Sequence, residues 1–161
     1  MSILSPFLTQ PEGAGRTSAI ILGIGCDRST PLHTLEAAID KALASAGQTR
    51  AAVAALATID KKCDEPGLLA LSAEHGWPMH FYSAARLSEV ATPNPSETVR
   101  KHMGTPAVSE AAALLAAHAG LEALLLEKYK YRGEEGKNVT VSIVRADFYT
   151  SNGSFVPGFN L

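Results

Sequence analysis

The sequence predicts an α/β fold, a three-layer α/β/α single domain around a mixed, mostly parallel sheet of about five strands. Three observations predict it. Short apolar runs alternate along the chain with segments whose apolar residues recur at helical spacing. Hydroxyl, carboxylate and proline signals for helix starts follow several of the runs. The first run, Ala19-Ile20-Ile21-Leu22, leads straight into Gly23-Ile24-Gly25-Cys26-Asp27-Arg28-Ser29-Thr30. Strand, glycines, polar residues and then a helix start is the order that open α/β sheets use where they bind ligands.

Each element has its own reason. Residues 19–23 read as a short buried strand. Thr30-Pro31 predicts a helix start, with the hydroxyl as N-cap and the proline at the first helical position. Leu32, Leu35, Ile39 and Leu43 then share one helix face, and Gly47 ends it. Residues 53–59 read as a second strand. Residues 65–75 read as a helix capped by Asp64 and ended by Gly76. Residues 79–82 form a third strand and residues 83–90 a helical turn. Asn94-Pro95-Ser96-Glu97 opens a helix that Gly104 ends. Thr105-Pro106 opens another, running to Ala117 and closed by Gly120. Residues 121–131 and 139–144 read as strands, with Gly133-Glu134-Glu135-Gly136 as a hairpin turn between them.

Helices separate the first three strands, so these are expected to be parallel, and the hairpin makes the closing pair antiparallel. The domain is expected to span residues 18–146. Residues 1–17 read as a loose arm. Residues 147–161 form a tail with Phe148, Tyr149, Phe155 and Phe159, able to dock on the body or hang free.

Composition narrows the function. The 161 residues suit one domain with a real core. Hydrophobic residues are 46% and aromatics 6%, with alanine supplying much of the former, which suits close helix-on-sheet packing. A net charge of -2 without a basic stripe gives no case for nucleic acid. There is no apolar stretch of roughly 18 residues to span a membrane and no signal-peptide pattern at the start. The two cysteines read as reduced thiols, and the cytoplasm is the expected location. His33, His75, His80, His102 and His118 are scattered without metal-ligand spacing, so no metal and no cofactor is expected.

The blocks Gly-Ile-Gly-Cys-x-Arg, Ala-Thr-Ile-Asp-x-Lys-x-Asp-Glu-Pro-Gly, Pro-Ser-Glu-x-Val and Gly-Thr-Pro-x-Val-Ser-Glu-Ala-Ala-Ala together resemble one family, that of CobE and the C-terminal domain of CbiG in cobalamin (vitamin B12) biosynthesis. The resemblance covers roughly residues 18–145, and residues 58–67 and 104–113 are its specific parts. It implies a role in building the corrin ring, with a precorrin tetrapyrrole as ligand and other corrin-pathway enzymes as possible partners. In the anaerobic pathway the two-part hydrolase of this family opens a ring-A lactone and releases acetaldehyde. Seventeen residues before the domain leave no room for that enzyme's N-terminal part, so the stand-alone CobE type is expected.

The candidate ligand-binding residues are Gly23, Gly25, Cys26, Arg28, Asp60, Lys61, Lys62, Glu65, Thr105, Ser109 and Glu110. Gly23 and Gly25 would let a ligand approach the backbone, or simply serve a tight turn. Free helix-start amides and the Arg28 fork suit the carboxylates of a precorrin, while a solvated arginine is the ordinary alternative. Cys26 and Cys63 are better read as inert thiols than as nucleophiles. Asp60 follows a buried strand, the position that aims a side chain into a ligand crevice, where it can bond a ring nitrogen or act as general base. Lys61 or Lys62 would pair with a ligand carboxylate. Asp64 caps the next helix. Glu110 either complements a helix dipole or lines the site. Lys128 and Lys130 share one face of a half-exposed strand, with Glu127, Tyr129 and Tyr131 on the other, and Tyr129 or Tyr131 could stack on a flat ligand.

Two readings follow. The first is a binder, carrier or accessory factor for a precorrin, favoured because no self-evident catalytic set is present. The second is a hydrolase of the lactone or acetyl-bearing ring, with Asp60 or Glu110 as base and a lysine stabilising the oxyanion. A nucleotide-binding module is weaker, because Arg28 stands where the dinucleotide fingerprint needs its third glycine.

Overall fold

In the computed structural model, which describes residues 19–90 and 108–146, the first apolar run becomes strand β1 (Ile20–Cys26). This strand continues past its predicted end, so Gly23 and Gly25 lie inside it and not in the turn that follows. The reason is pairing. Antiparallel partners hold β1 along its whole length, from Ile20 opposite Arg145 to Cys26 opposite Val139.

The remaining elements are α1 (Leu32–Ser45), β2 (Val53–Ile59), α2 (Pro66–His75), β3 (Met79–Tyr82), α3 (Ala84–Ser88), α4 (Val108–Ala117), β4 (Leu124–Arg132) and β5 (Asn138–Arg145). The sheet order is β3-β2-β1-β5-β4. β1, β2 and β3 are parallel, and β5 runs antiparallel to both its neighbours. The expected mixed sheet of five strands is therefore present, with β1 at its centre.

The strands sort their side chains by alternation. Ile20, Leu22 and Ile24 join Leu35, Ile39, Leu68 and Leu71 in a core beneath α1 and α2. Ile21 joins Ala55, Ala57, Ala111, Ala113 and Val144 in a second core beneath α4. Two cores on opposite faces of one sheet make the third layer. Each fully buried Ile or Leu contributes roughly 1.5–3 kcal/mol. The α4 layer is built from small side chains, and this lets the helix come close. An ideal Cβ on Gly23 would lie 1.8 Å from the Ser109 carbonyl oxygen. The glycine therefore serves helix packing.

Several helix ends differ from expectation. Thr30 does not cap α1: its hydroxyl donates to the Asp27 carbonyl at 2.6 Å, and Pro31 occupies the N-cap. Asp64 does not cap α2, because Glu65 holds that position and Asp64 is drawn to Arg28. Helix α4 is closed by His118, at φ +53°, and not by Gly120. The Ala119 amide donates back to the Leu114 carbonyl there. Gly47 and Gly76 do end α1 and α2 in the left-handed conformation, at φ +68° and +69°. Residues 121–123 form a 3-10 turn, so β4 starts later than predicted. The arm, the tail, the predicted helix over residues 94–104 and the Thr105-Pro106 start lie outside the described residues.

Candidate functional site

The segments leaving β1 and β2 meet at one end of the sheet. Arg28 reaches across and makes three bonds. Its Nη1 donates to Asp64 Oδ1 at 2.9 Å and to Glu65 Oε1 at 3.0 Å, and its Nη2 donates to the Lys61 carbonyl at 2.7 Å. The Ser29 amide donates to the other Glu65 oxygen. Ser29 adopts φ +64°, an uncommon conformation for a side-chain-bearing residue. Gly67 sits so close to the Thr30 carbonyl that a Cβ would lie 2.3 Å from its oxygen. The two segments are thus one unit, with Arg28 and Asp60 at the same end.

The hairpin turn joins them. Asp27 Oδ2 accepts the Asn138 amide at 2.8 Å and its Nδ2 at 3.0 Å. The Thr34 hydroxyl at the start of α1 donates to Glu135 in the turn at 2.8 Å.

This geometry corrects the sequence reading at one point. An anion was expected on the Arg28 fork and the amides of the turn. One is there already, and it is the protein's own Glu65, 1% exposed. A buried carboxylate is tolerable only when paired and hydrogen-bonded. Arg28 and the Ser29 amide do that for Glu65. Arg28 is therefore a staple between two loops and not an open fork. The same guanidinium holds the Asp64 carboxyl below its ordinary range.

The remaining groups at this end are Asp60 and Lys61, both exposed, and Lys62, partly buried. All three lie on the 3-10 turn that follows β2. Cys26 is partly buried, and burial pushes its thiol up, with Lys62 opposing. A raised thiol is a poor nucleophile at neutral pH. Cys26 and Cys63 are both free. Among the described residues, no group of three or more His, Cys, Asp or Glu is placed to hold a metal.

Ser109 and Glu110 occupy a different place, beneath α4 on the other face of the sheet from Cys26. Ser109 Oγ lies 2.8 Å from Ser142 Oγ, and the Ser142 hydroxyl donates to the Glu127 carbonyl. The second of two irregularities in the β4–β5 ladder, between Leu126 and Tyr129, sets Glu127 and Lys128 opposite Ser142. Glu110, the next residue of α4 after Ser109, is 0% exposed. Neither oxygen of its carboxyl has a hydrogen-bond partner among the described residues. Burial raises its pKa to about 7; Lys128 opposes that rise and Glu127 adds to it.

The irregular ladder also breaks the alternation expected of β4. Tyr129 and Tyr131 pack against the core beneath α1, so they are not an open stacking platform. Gly25, with only Thr140 Cβ at 3.9 Å from an added Cβ, has room for a side chain. Thr105 lies outside the described residues. Sequence reasoning missed Asp27, Asn138 and Ser142. Ser142 had a signal, a hydroxyl inside the apolar run Val139–Val144; Asn138 and Asp27 had none, because a cross-strand partner is invisible in one dimension.

The fold and these loops define an open-sheet α/β protein whose first two strand ends carry a pinned, charged turn. The model of the family described as Cobalamin synthesis G C-terminus matches residues 20–144, and the chain belongs to that family. It is a cobalamin biosynthesis protein of the CobE/CbiG type. It is 38% identical over 128 residues to the cobalt-precorrin-5A hydrolase of Priestia megaterium, and covers 32% of that protein's length. It is 38% identical over 120 residues to Protein CobE of a Sinorhizobium species, and covers 74% of it. The shared parts are 80% and 73% of this chain, respectively. The chain therefore spans about a third of the first relative. Among solved structures, CobE from the cobalamin biosynthetic pathway superposes with a TM-score of 0.64 at 31% identity, covering 88% of this chain and 96% of that one. The cobalamin biosynthesis protein chiG of Agrobacterium tumefaciens superposes at 0.56 with 32% identity, covering 78% and 96%.

Proposed function

We propose that this chain binds a precorrin intermediate of cobalamin biosynthesis and acts as a carrier or accessory factor, holding the ligand at the carboxyl ends of β1 and β2. The observation that carries this reading is the turn Asp60–Lys62. It presents two lysines and a carboxylate on backbone that Arg28 pins through the Lys61 carbonyl. A turn fixed in advance loses little freedom when it meets a polyacidic ligand. Lys61 and Lys62 pair with ligand carboxylates, and Asp60 accepts from a ring N–H. Arg28 positions the turn.

The test is to mix the purified protein with precorrin intermediates and follow a coloured, co-eluting complex. The Lys61→Ala/Lys62→Ala variant is expected to weaken retention about tenfold, the equivalent of roughly 1.4 kcal/mol. Arg28→Lys is expected to weaken it as well, because an ammonium cannot reproduce the fork. Failure to retain any tetrapyrrole at micromolar protein overturns the carrier reading. Release of acetaldehyde from the substrate, lost in Asp60→Asn, would assign the hydrolase reading in its place.

A further inference from the structure

Glu110 is a buried carboxyl whose oxygens have no hydrogen-bond partner among the described residues. The hydroxyls of the adjacent Ser109 and its partner are bonded elsewhere. Ser142 donates to the Glu127 carbonyl, and Ser109 and Ser142 are engaged with each other. Leaving a buried polar group unsatisfied costs about 1–3 kcal/mol, and more if it is ionised. Buried polar groups without a bond are rare in folded proteins, so this one calls for a functional reason.

The surroundings say what kind of partner. A neutral carboxyl offers one O–H donor and one carbonyl acceptor. The O–H donates to a carboxylate of the ligand, and the resulting acid–carboxylate pair carries one negative charge that Lys128 offsets. The charged groups acting on Glu110 are Lys128 and Glu127, both on β4. The residues beneath α4 on β1, β2 and β5 are Ile21, Ala55, Ala57, Ile59, Ser142 and Val144, and none of these is charged. On β3, His80 and Tyr82 face the same layer, and on α3 Arg86 lies over the Tyr82 ring. β4 is an edge strand of the described sheet, with Glu127 exposed and Lys128 partly so, so the groups acting on Glu110 lie at the border of the sheet.

We propose that Glu110, buried without a partner among the described residues between α4 and the β4–β5 irregularity, is a receptor for one carboxyl group of the ligand, sharing its proton with it beside Lys128. The assignment of that group to a corrin precursor rests on the reading given above. The receptor role of Glu110 for a carboxyl group does not, and a small carboxylate serves as its probe.

Two arms keep these apart. The first uses propionate as probe, with amide chemical shifts as readout. At pH 6 it is expected to move the Ser109 and Ser142 amides. At pH 8, where Glu110 is ionised and repels a second carboxylate, those shifts should vanish, and in Glu110→Leu they should be absent at both values. No propionate-dependent shift at pH 6 overturns the receptor role, whatever the corrin arm gives. The second arm uses cobyrinic acid, a coloured corrin bearing carboxylates. Wild type is expected to bind it about tenfold more tightly at pH 6 than at pH 8, a change of roughly 1.4 kcal/mol. Glu110→Gln keeps a donor and an acceptor and cannot ionise, so its profile should be flat over that range. An identical pH slope in wild type and Glu110→Gln overturns the use of Glu110 for this ligand. Absence of corrin binding at both pH values, with propionate shifts intact, rejects the carrier reading and retains the receptor role.

Discussion

At the scale of the residue, two carboxylates show how one chemical group is managed in opposite ways. Glu65 is buried and paired, with Arg28 on one oxygen and the Ser29 amide on the other. Glu110 is buried without a partner among the described residues, and burial raises its pKa to about 7. The second case has a consequence for stability. A carboxyl whose folded pKa lies above its ordinary value near 4.5 favours the folded state while it is protonated. That contribution is complete below about pH 4.5 and is lost as pH rises to about 7, by roughly 3 kcal/mol at most. Asp64 and Glu135 shift the other way, so their effect is confined to more acidic solution. His80, pushed down by burial, makes both proteins gain stability as pH rises through the same range, so urea unfolding across pH 4.5–7.5 is expected to show wild type losing stability relative to Glu110→Gln. Parallel pH profiles for the two proteins would show that Glu110 carries no such linkage.

At the scale of the element, α4 is placed by what its neighbours lack. Its buried face is Ala111, Ala112, Ala113, Ala116 and Ala117, and beneath it lie Ala55, Ala57 and Gly23. Small residues on both sides let backbone approach backbone, and Gly23 is where the approach is closest. Gly23→Ala puts a methyl against the Ser109 carbonyl, which is backbone and cannot swing aside. The expected loss is about 1–3 kcal/mol, typical of overpacking. It should be accompanied by movement of the Ser109 and Ser142 amide signals, because the hydroxyl pair spans the same gap. Gly25→Ala serves as the control, since a Cβ there meets Thr140 only at ordinary contact distance. Equal stability of the two variants would refute this account of how α4 is seated.

At the scale of the whole molecule, the two cores share one sheet, so neither layer can leave without exposing the strands that hold the other. The chain has one tryptophan, Trp77. It is 7% exposed in the core beneath α1 and α2, and its ring stacks on His75 with centroids 4.4 Å apart. Its fluorescence reports that layer alone, while far-UV circular dichroism reports all the helices. Both are expected to show the same urea midpoint, as a single cooperative domain requires. An earlier midpoint for dichroism than for fluorescence would mean that α4 detaches on its own.

Much of this architecture was legible in one dimension. Parallel strands need crossovers long enough to hold a helix, and the spacing of Leu35, Ile39 and Leu43 announces α1 because burial of one helix face repeats every three or four residues. The glycines at positions 47 and 76 stop helices for a local reason, their freedom at positive φ. The family blocks also lay in the open, because they are contiguous. Other features depend on residues far apart in the chain. Gly23 reads as a turn glycine until Ser109 is seen above it. Thr30 and Asp64 read as helix caps until Asp27 and Arg28 are found as their partners. Arg28 reads as a ligand fork until Glu65 is found in its grip. The chain order alone was enough for the parallel set β1–β3 and the closing antiparallel pair, since each follows from local periodicity and connection length, while the place of β5 beside β1 was not legible there. Whether a given carboxylate is paired, neutral or free to meet a ligand was decided only in three dimensions, because burial and hydrogen bonding are properties of neighbours brought together by folding.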